Sequence, residues 1–208
     1  KKIKEELKNV LNSQDTVISF LERSNLINIK TSSSTKHKTI ISVRNYLSER
    51  YKSPKYLYRM NQIKKYYPKA DKIITNSFAS KEDLVKKFNV PEEKIEVIYN
   101  VIDLEKVRKS ETEEIPNNHK VIFENPVILN IGSLTSQKCQ KQLIEAFYSV
   151  KKEFPKYKLV IIGTGNEEIN LINTIESLNL NNEVFLLGNV KNPFKYLKQS
   201  EVFVLNSE

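Results

Sequence analysis

Short apolar runs alternate along the chain with segments in which apolar residues recur at helical spacing. Eight runs rich in β-branched residues are predicted as strands, at 16–21, 39–43, 72–77, 94–100, 127–132, 158–163, 183–188 and 202–207. Most are apolar throughout rather than alternating, which is typical of strands buried on both faces of a parallel sheet. Helices are predicted between them, most clearly at 80–88 (with Ser80 as N-cap), 141–154 and 167–180. Strand–helix alternation predicts right-handed βαβ units and a doubly wound α/β fold.

One segment departs from this alternation. Residues 109–126 are polar, contain two prolines and have no clear periodicity. Such a stretch is typical of a linker. We therefore predict two α/β domains, over 1–108 and 127–208, joined by a linker at 109–126.

The composition excludes several classes of protein. Of the 208 residues, 39% are hydrophobic and 28% charged, as in soluble globular proteins with a core. No apolar run approaches the roughly 18 residues needed to span a bilayer, and the predicted amphipathic helix "KKIKEELKNVL" at the start lacks the apolar region of a secretion signal. Cys139 is the single cysteine, so an internal disulfide is excluded, and the distant His37 and His119 do not predict a metal site. These features are consistent with a cytosolic location.

The charge is unevenly distributed. Residues 1–110 hold 24 Lys and Arg against 13 Asp and Glu, whereas residues 111–208 hold 10 against 12. This asymmetry indicates that the first half meets an anionic surface or polymer. A genome that favours lysine codons is the alternative explanation for part of the excess.

The chain has four glycines, and each follows a predicted strand of the second half: Gly132, Gly163, Gly165 and Gly188. Ligands bind at the carboxyl edge of open α/β sheets, where loops lead into helix N-termini that favour anions such as phosphate. Lys138, predicted in the first helical turn after Gly132, adds a positive charge there. A nucleotide or sugar-phosphate site is predicted, although glycine at a strand end and a surface lysine are also common without any ligand. Glu168 replaces the last glycine of a Gly-x-Gly-x-x-Gly fingerprint, which disfavours a dinucleotide oxidoreductase.

Longer segments resemble a known family. Residues 70–107 resemble the end of the N-terminal lobe of retaining GT-B glycosyltransferases of family 4, the group 1 glycosyl transferases. The segments "ILNIGSLTSQKCQKQLIEAF", "LVIIGTGNEEINL" and "VFLLGNVKNPFKYLKQSEVFVLNS" resemble its C-terminal lobe in order and spacing. "VISFLERSNLINI" and "IISVRN" resemble the bacterial branch that extends lipid-linked glycans, capsules or lipopolysaccharide.

The resemblance implies a GT-B-like α/β fold and a transfer reaction. Two doubly wound, Rossmann-like lobes with mostly parallel sheets would face a cleft, with an acceptor-side lobe over 1–108 and a nucleotide-sugar-binding lobe over 127–208. A sugar would pass from a nucleotide-sugar donor to a glycan or lipid-linked glycan, with retention of configuration. The family implies no metal and no other cofactor. The expected location is cytoplasmic, with a peripheral position on the inner membrane face as the alternative.

The resemblance assigns the donor diphosphate to the Gly132 loop and Lys138. The family usually has arginine after that glycine, where Ser133 stands, and glycine after the lysine, where Cys139 stands. Cys139 is also interpretable as a small buried residue at a helix start. Gly163 and Gly165 are predicted at the same edge of the sheet.

The resemblance also assigns a base-reading loop and contacts in the N-terminal lobe. Gly188, Asn189 and Val190 match the loop whose backbone reads the nucleobase, and Asn192 and Lys195 follow as further contacts or as an ordinary cap and surface residue. The remaining candidates are in the N-terminal lobe: Arg44 near the donor sugar or as an ion-pair partner, Arg23 and Asn25 as acceptor or phosphate contacts, and Asn100 and Asp103 as turn-stabilising residues.

The family's two glutamates, spaced eight apart, are expected beyond the strand at 202–207, so Glu208 is not assigned that role. The first strands of the family's N-terminal lobe are also missing. The sequence is therefore interpreted as an interior fragment or a shortened relative, and this chain by itself is expected to be inactive.

Two other functions stay open. Residues 51–69 interleave tyrosines with basic residues, as nucleic-acid stacking surfaces do. A GT-B remnant that only binds partners is the second alternative. Residues 36–72 hold eleven Lys and Arg against two Asp and Glu, which predicts either an anionic membrane surface or a solvated helix face. Within the glycosyltransferase interpretation no nucleic acid is expected.

Overall fold

The structure is a computed structural model that describes residues 2–207. It divides into two α/β units, one ending at Ile102 and the other beginning at Asp103. The eight predicted strands are all present, and every strand pairing in both sheets is parallel. The predicted α/β fold is confirmed.

The first unit contains one four-stranded sheet in the order β1-β2-β3-β4. Its strands are β1 (Thr16–Phe20), β2 (Lys38–Val43), β3 (Lys72–Thr75) and β4 (Ile95–Val97). Its helices are α1 (Lys2–Val10), α2 (Glu22–Thr35), α3 (Leu47–Arg50), α4 (Leu57–Tyr66) and α5 (Phe78–Phe88), with 3₁₀ turns at Pro54–Tyr56, Tyr67–Lys69 and Glu92–Lys94.

The second unit contains a four-stranded sheet in the order β7-β6-β5-β8. Its strands are β5 (Val127–Ile131), β6 (Lys158–Ile162), β7 (Val184–Leu186) and β8 (Val202–Phe203). Its helices are α6 (Leu104–Glu111), α7 (Asn117–Lys120), α8 (Gln140–Glu153), α9 (Glu168–Ser177) and α10 (Phe194–Lys198), with 3₁₀ turns at Val121–Glu124 and Ser136–Lys138.

Strand β6 shows why the continuous apolar runs predicted two-sided burial. Leu159 and Ile161 belong to the core on one face of the sheet, whereas Val160 and Ile162 belong to the core on the other. All four are at most 3% exposed. Burying side chains of this size stabilises the fold by roughly 1.5–3 kcal/mol each, so both faces of this strand hold the sheet in place.

The segment 109–126, predicted as a linker, packs within the second unit. Ile115 and Ile122 are buried against Val160, Ile162 and Tyr196 and so cover one face of the sheet. The boundary between the units therefore lies before this segment. The polar sequence concealed this role because Ile115 lies in a loop and Ile122 in the 3₁₀ turn Val121–Glu124, so the two share no helical period.

Two helix starts test the predicted caps. Helix α5 begins at Phe78 rather than at Ser80, and its cap is Ser77, whose Oγ accepts a hydrogen bond from Ser80 N at 3.2 Å. The prediction of Ser80 as the cap was wrong because the helix extends further towards its N-terminus. Asp103 caps α6 by accepting from Lys106 N at 2.9 Å, which confirms its turn-stabilising role.

The predicted amphipathic helix at the start of the chain is confirmed as α1. Its apolar residues Ile3 and Leu7 line a cavity of about 390 Å³ over α2 and β1. In the part of the chain that the structure describes, no helix has both the length and the apolar character needed to cross a membrane.

Candidate functional site

The four glycines lie in three loops at the carboxyl edge of the second sheet, after β5, β6 and β7. The loops after β5 and β6 are joined by hydrogen bonds from Leu134 N to Thr164 O (2.9 Å) and from Glu167 N to Leu134 O (3.1 Å). The loop after β7 is joined to them where Gly163 N donates to Gly188 O (2.8 Å). The prediction that the glycines share one edge is confirmed, and backbone contacts hold the three loops together.

Two of the glycines are required by this loop packing. A Cβ at Gly163 would lie 1.9 Å from Gly132 O, and one at Gly165 would lie 2.1 Å from Leu134 O. Gly163 also has a φ of +148°, which disfavours any residue with a side chain. Contacts within the fold therefore account for both residues without a ligand.

Gly132 differs from them because the fold itself would tolerate a side chain there. An added Cβ would meet only the ends of the Lys138 and Gln140 side chains, at 3.8 Å or more. Gly188 has open space around its Cβ position but a φ of +66°, so a glycine is favoured by its backbone. Because only side-chain atoms lie near Gly132, a ligand can approach its backbone closely where these side chains move aside.

Lys138 lies over Gly132, although not in the predicted element. It ends the 3₁₀ turn Ser136–Lys138, and α8 begins only at Gln140, so the placement of Lys138 in the first helical turn was wrong. Its Cδ and Cε lie 3.8 and 3.9 Å from the position that a Cβ of Gly132 would occupy. Among the contacts within residues 2–207, its ammonium group has no hydrogen bond or ion pair. The geometry thus gives the open backbone at Gly132 an adjacent positive charge.

Cys139 separates this turn from α8. Its backbone is left-handed, with φ 53° and ψ 27°, and its side chain is buried with Sγ 3.4 Å from Ser136 O. The left-handed conformation costs a residue with a side chain roughly 1–2 kcal/mol, which explains why glycine suits this position. Burial agrees with the interpretation of Cys139 as a small buried residue.

Two amide side chains that the sequence interpretation missed brace the same loop. Gln140 is 2% exposed, and its Nε2 donates to Ser133 O at 3.0 Å. Asn206, after β8, donates from Nδ2 to Cys139 O at 2.6 Å. The Oε1 of Gln140 and the Oδ1 of Asn206 are buried without a partner among the described residues. In the sequence, these two residues are marked only by position, since Gln140 begins a helix and Asn206 follows a strand.

The candidates around Gly188 divide into two groups. Asn189 is exposed at the loop, and Val190 packs against the core on one face of the sheet. Asn192 instead donates to Ser110 O (2.7 Å) and accepts from Phe194 N (3.1 Å), so it ties α6 to the start of α10. Lys195 lies 3.7 Å from the Glu113 carboxylate in an ion pair. These contacts account for Asn192 and Lys195 as structural residues.

In the first unit, Arg44 and Asn25 line a cavity of about 130 Å³ at the carboxyl ends of β1 and β2. Arg44 is exposed and donates to Asn100 Oδ1 at 2.6 Å, so its partner is an amide rather than an acid. Arg23 lines the separate cavity under α1 instead. The structure therefore brings Arg44 and Asn25 together and leaves Arg23 apart.

Asn25 is held by the fold. It is 1% exposed, accepts from Ser19 Oγ (2.8 Å) and donates to Ser42 O (2.9 Å) and Tyr67 Oη (3.4 Å). These bonds fix the start of α2 against β1 and β2. Asn25 consequently positions the cavity wall rather than offering free groups to a ligand.

Glu22 is a cavity residue that the sequence interpretation missed. Its carboxylate accepts from Asn45 Nδ2 at 3.4 Å and lies 4.0 Å from Arg50 Nε. The Tyr67 hydroxyl lies at the same cavity, and burial raises its pKa so that it stays protonated. The Glu22 carboxylate and the Arg44 guanidinium at one small cavity suit hydrogen bonding to sugar hydroxyl groups, whereas the fully buried Tyr67 forms part of the cavity wall.

Comparison with known proteins covers both units. Residues 111–208 match the family model described as "Glycosyl transferases group 1", and residues 28–106 match the one described as "Glycosyltransferase Family 4". An uncharacterised glycosyltransferase of Methanocaldococcus jannaschii is 38% identical over 172 residues, which are 82% of this chain and 42% of that protein.

A second relative has a named activity. The N-acetylgalactosamine-N,N'-diacetylbacillosaminyl-diphospho-undecaprenol 4-alpha-N-acetylgalactosaminyltransferase of Campylobacter jejuni is 38% identical over 141 residues, 68% of this chain and 36% of that protein. The chain thus spans well under half the length of these curated relatives.

Solved structures show the same fold. Anabaena HepE in complex with UDP superposes with a TM-score of 0.78 at 18% identity, over 99% of this chain and 56% of that one. The apo lipopolysaccharide outer core galactosyltransferase WaaB superposes with a TM-score of 0.66 at 19% identity, over 99% of this chain and 53% of that one. At these identities the likeness concerns the fold, which is that of GT-B glycosyltransferases.

Proposed function

Because this chain belongs to the GT-B glycosyltransferases of group 1, we propose that its protein transfers a sugar from a nucleotide-sugar donor to a glycan or lipid-linked glycan, with retention of configuration. The observation that carries the proposal is the loop edge of the second unit. There an open backbone at Gly132, the charge of Lys138 and the start of α8 converge. This combination suits a diphosphate.

The donor diphosphate would lie beside Gly132, within reach of the Lys138 ammonium group. The free N–H groups at the start of α8 and the Lys138 ammonium would stabilise the negative charge that develops on the leaving nucleoside diphosphate. Gln140 fixes the Ser133 carbonyl, which keeps the loop in place while the charge develops. Ser133 adds only a hydroxyl where the family usually has an arginine.

The nucleobase would contact the exposed loop of Gly188, Asn189 and Val190. Support for a uridine nucleotide comes from HepE, whose structures contain UDP or UDP-glucose. In this proposal Asn192 and Lys195 stabilise the fold and do not contact the donor, since their polar groups already bind Ser110 and Glu113.

The acceptor would lie at the first unit's cavity with Glu22, Arg44 and Tyr67. The name of the Campylobacter relative, which specifies a diphospho-undecaprenol-linked glycan, supports a lipid-linked acceptor. An enzyme acting on such a molecule would work in the cytoplasm at the inner membrane face. No metal is required in this scheme because Lys138 and the helix start carry the phosphate contacts.

The first prediction tests the donor site. Isothermal titration of UDP into this chain should show binding that Lys138→Ala weakens by about 1.5–3 kcal/mol, roughly ten- to 150-fold, because one charged hydrogen bond is lost. Lys141→Ala is the matched control, since Lys141 is an exposed lysine at the nearby start of α8 and is paired with Glu145. Equal affinity in the wild type and the Lys138 variant would make Lys138 an ordinary surface residue. Transfer with retention is tested separately, by the anomeric NMR signal of the product made by the full-length protein.

A further inference from the structure

Apart from Tyr67, which lines the acceptor cavity, a basic segment of the first unit is not used by the donor or acceptor site. Residues 51–69 hold six Lys and Arg and no Asp or Glu. They form the 3₁₀ turn Pro54–Tyr56, helix α4 and the turn Tyr67–Lys69. We refer to residues 51–69 as the basic segment.

Its positive charge is exposed and largely uncompensated. The exposed lysines are Lys52, Lys55, Lys64, Lys65 and Lys69. Within residues 2–207, the basic segment forms a single ion pair, between Lys52 and Glu49 at 3.3 Å, and both partners are exposed. The segment therefore presents a positive surface that attracts anions.

The same surface carries apolar side chains. Leu57 and Tyr58, at the start of α4, are 63% and 76% exposed. Helix α4 is anchored on its other side by Ile63, which is fully buried in the core of the first unit. The exposed pair is thus held outward by a helix that cannot turn to hide it.

A shallow cavity of about 250 Å³ opens between α4 and α5. Lys52, Lys64 and Lys87 line it, and Met60 and Phe88 supply apolar wall. None of its lining residues is acidic. The three lysines can bind a phosphate group, and the apolar wall can contact a hydrocarbon chain attached to that phosphate.

Apart from the exposed Tyr58, the tyrosines of the basic segment are poorly placed to stack on nucleic-acid bases. The Tyr66 ring is covered by Lys30, with Nζ 4.4 Å from its centroid, and Lys65 and Lys69 also approach it. Tyr56 packs edge-on against Tyr51 at 5.3 Å. Because base stacking needs open ring faces, these contacts favour a membrane over RNA.

We propose that the basic segment docks the first unit on an anionic lipid bilayer. Lipid phosphates bind in the cavity of Lys52, Lys64 and Lys87, and Leu57 and Tyr58 enter the boundary between headgroups and acyl chains. The inference rests on the proposed function for its purpose, which is to bring the enzyme to a lipid-linked acceptor. Membrane binding itself requires neither nucleotide nor acceptor.

The experiment is co-sedimentation of the 208-residue chain with vesicles of phosphatidylcholine, alone or mixed with phosphatidylglycerol. Binding should require phosphatidylglycerol and fade as salt rises, because surface charge is screened. Lys64→Ala with Lys87→Ala should weaken partitioning roughly 25-fold, about fivefold per lysine. Leu57→Ala with Tyr58→Ala should weaken it with the charges intact. Lys141→Ala with Lys156→Ala, exposed lysines of the second unit, is the charge-matched control and should leave binding unchanged.

Several results would overturn the docking proposal. The first is that the chain does not bind phosphatidylglycerol vesicles at low salt. The second is that the Lys64/Lys87 variant binds as strongly as the wild type. The third is that the Lys141/Lys156 control loses as much binding as the Lys64/Lys87 variant. Tight, salt-dependent binding of single-stranded RNA without vesicle binding would assign the segment to nucleic acid instead. Because UDP titration is unaffected by any of these outcomes, failure here is distinguishable from failure of the proposed transfer.

Discussion

The chemistry of the second unit depends on single residues whose backbone or charge is unusual. Lys138 is a lysine without an internal partner among the described residues, placed over a glycine that the fold does not itself require. Beside it, Cys139 takes a left-handed backbone that glycine would adopt more easily. Gln140 and Asn206 donate to the carbonyls of Ser133 and Cys139 and so maintain the loop.

The left-handed backbone at Cys139 gives a stability prediction. Cys139→Gly should be more stable than Cys139→Ala by about 1 kcal/mol, because alanine keeps the Cβ that makes this backbone unfavourable. The order is the reverse of that in a helix interior, where glycine is the less stable of the two. Urea unfolding of the two variants measures the difference. A more stable alanine variant would show that φ near +53° is not maintained in solution.

At the scale of elements, the site is built from three loops that support one another. Strands β5, β6 and β7 end at the same edge, so their loops meet, and glycines allow backbones to touch. Gly163 serves packing between loops, whereas a Cβ at Gly132 would make only ordinary contacts with the Lys138 and Gln140 side chains. The two residues look alike in the sequence and have separate physical roles.

Alanine at each position should separate these roles. Gly163→Ala should lower the free energy of unfolding by about 2–4 kcal/mol, because its Cβ would overlap the backbone carbonyl of Gly132. Gly132→Ala should leave the urea midpoint nearly unchanged and weaken UDP binding, since the methyl group would stand where the phosphate approaches. Urea unfolding and calorimetric titration of both variants make the comparison. Similar stability losses in both would refute the division.

At the scale of the whole molecule, charge is distributed differently between the two units. The first unit carries the basic segment and a chain of buried polar groups under α2. In that chain His37 Nε2 donates to Asn28 Oδ1 (2.8 Å), because the Asn28 amide nitrogen already donates to Val17 O and Ser19 Oγ. The neutral ring then accepts from Thr35 Oγ1 (2.5 Å) at Nδ1.

This arrangement predicts a pH dependence of folding. Burial lowers the pKa of His37 below 6.5. The negative charges of Asp15 and Asp71 raise this pKa, but their effect is smaller than that of burial. The unfolded chain therefore takes up the proton first, so the free energy of unfolding should fall as pH drops below 6.5, by at most about 1.4 kcal/mol per pH unit. Above that pH the group has no effect.

Urea unfolding between pH 7.5 and about 5 tests this expectation in the range where histidine titrates. His37→Gln, which keeps an amide donor for Asn28, should flatten the slope, whereas His119→Gln in the second unit should retain it. A slope that survives in the His37 variant would assign the pH dependence to other groups.

The sequence by itself determined the strands, the parallel α/β class and the edge at which the glycines gather. These follow from local physics: a strand buried on both faces must be apolar throughout, as β6 is, and a glycine after such a strand lies at the sheet's carboxyl edge. The resemblance of ordered segments likewise identified the family. Such features require no knowledge of which residues meet across the fold.

Only the tertiary structure decided which polar residues face inward and which stay free. Asn25 and Asn192 were candidates by position, but they form hydrogen bonds with residues distant in sequence, whereas Glu22 and Asn206 gained their roles from such distant residues. The sequence of segment 109–126 predicts a linker, whereas the structure places its residues Ile115 and Ile122 in the core. A polar group's chemistry depends on the partners that folding brings to it, and those contacts between distant segments leave no local pattern in the sequence.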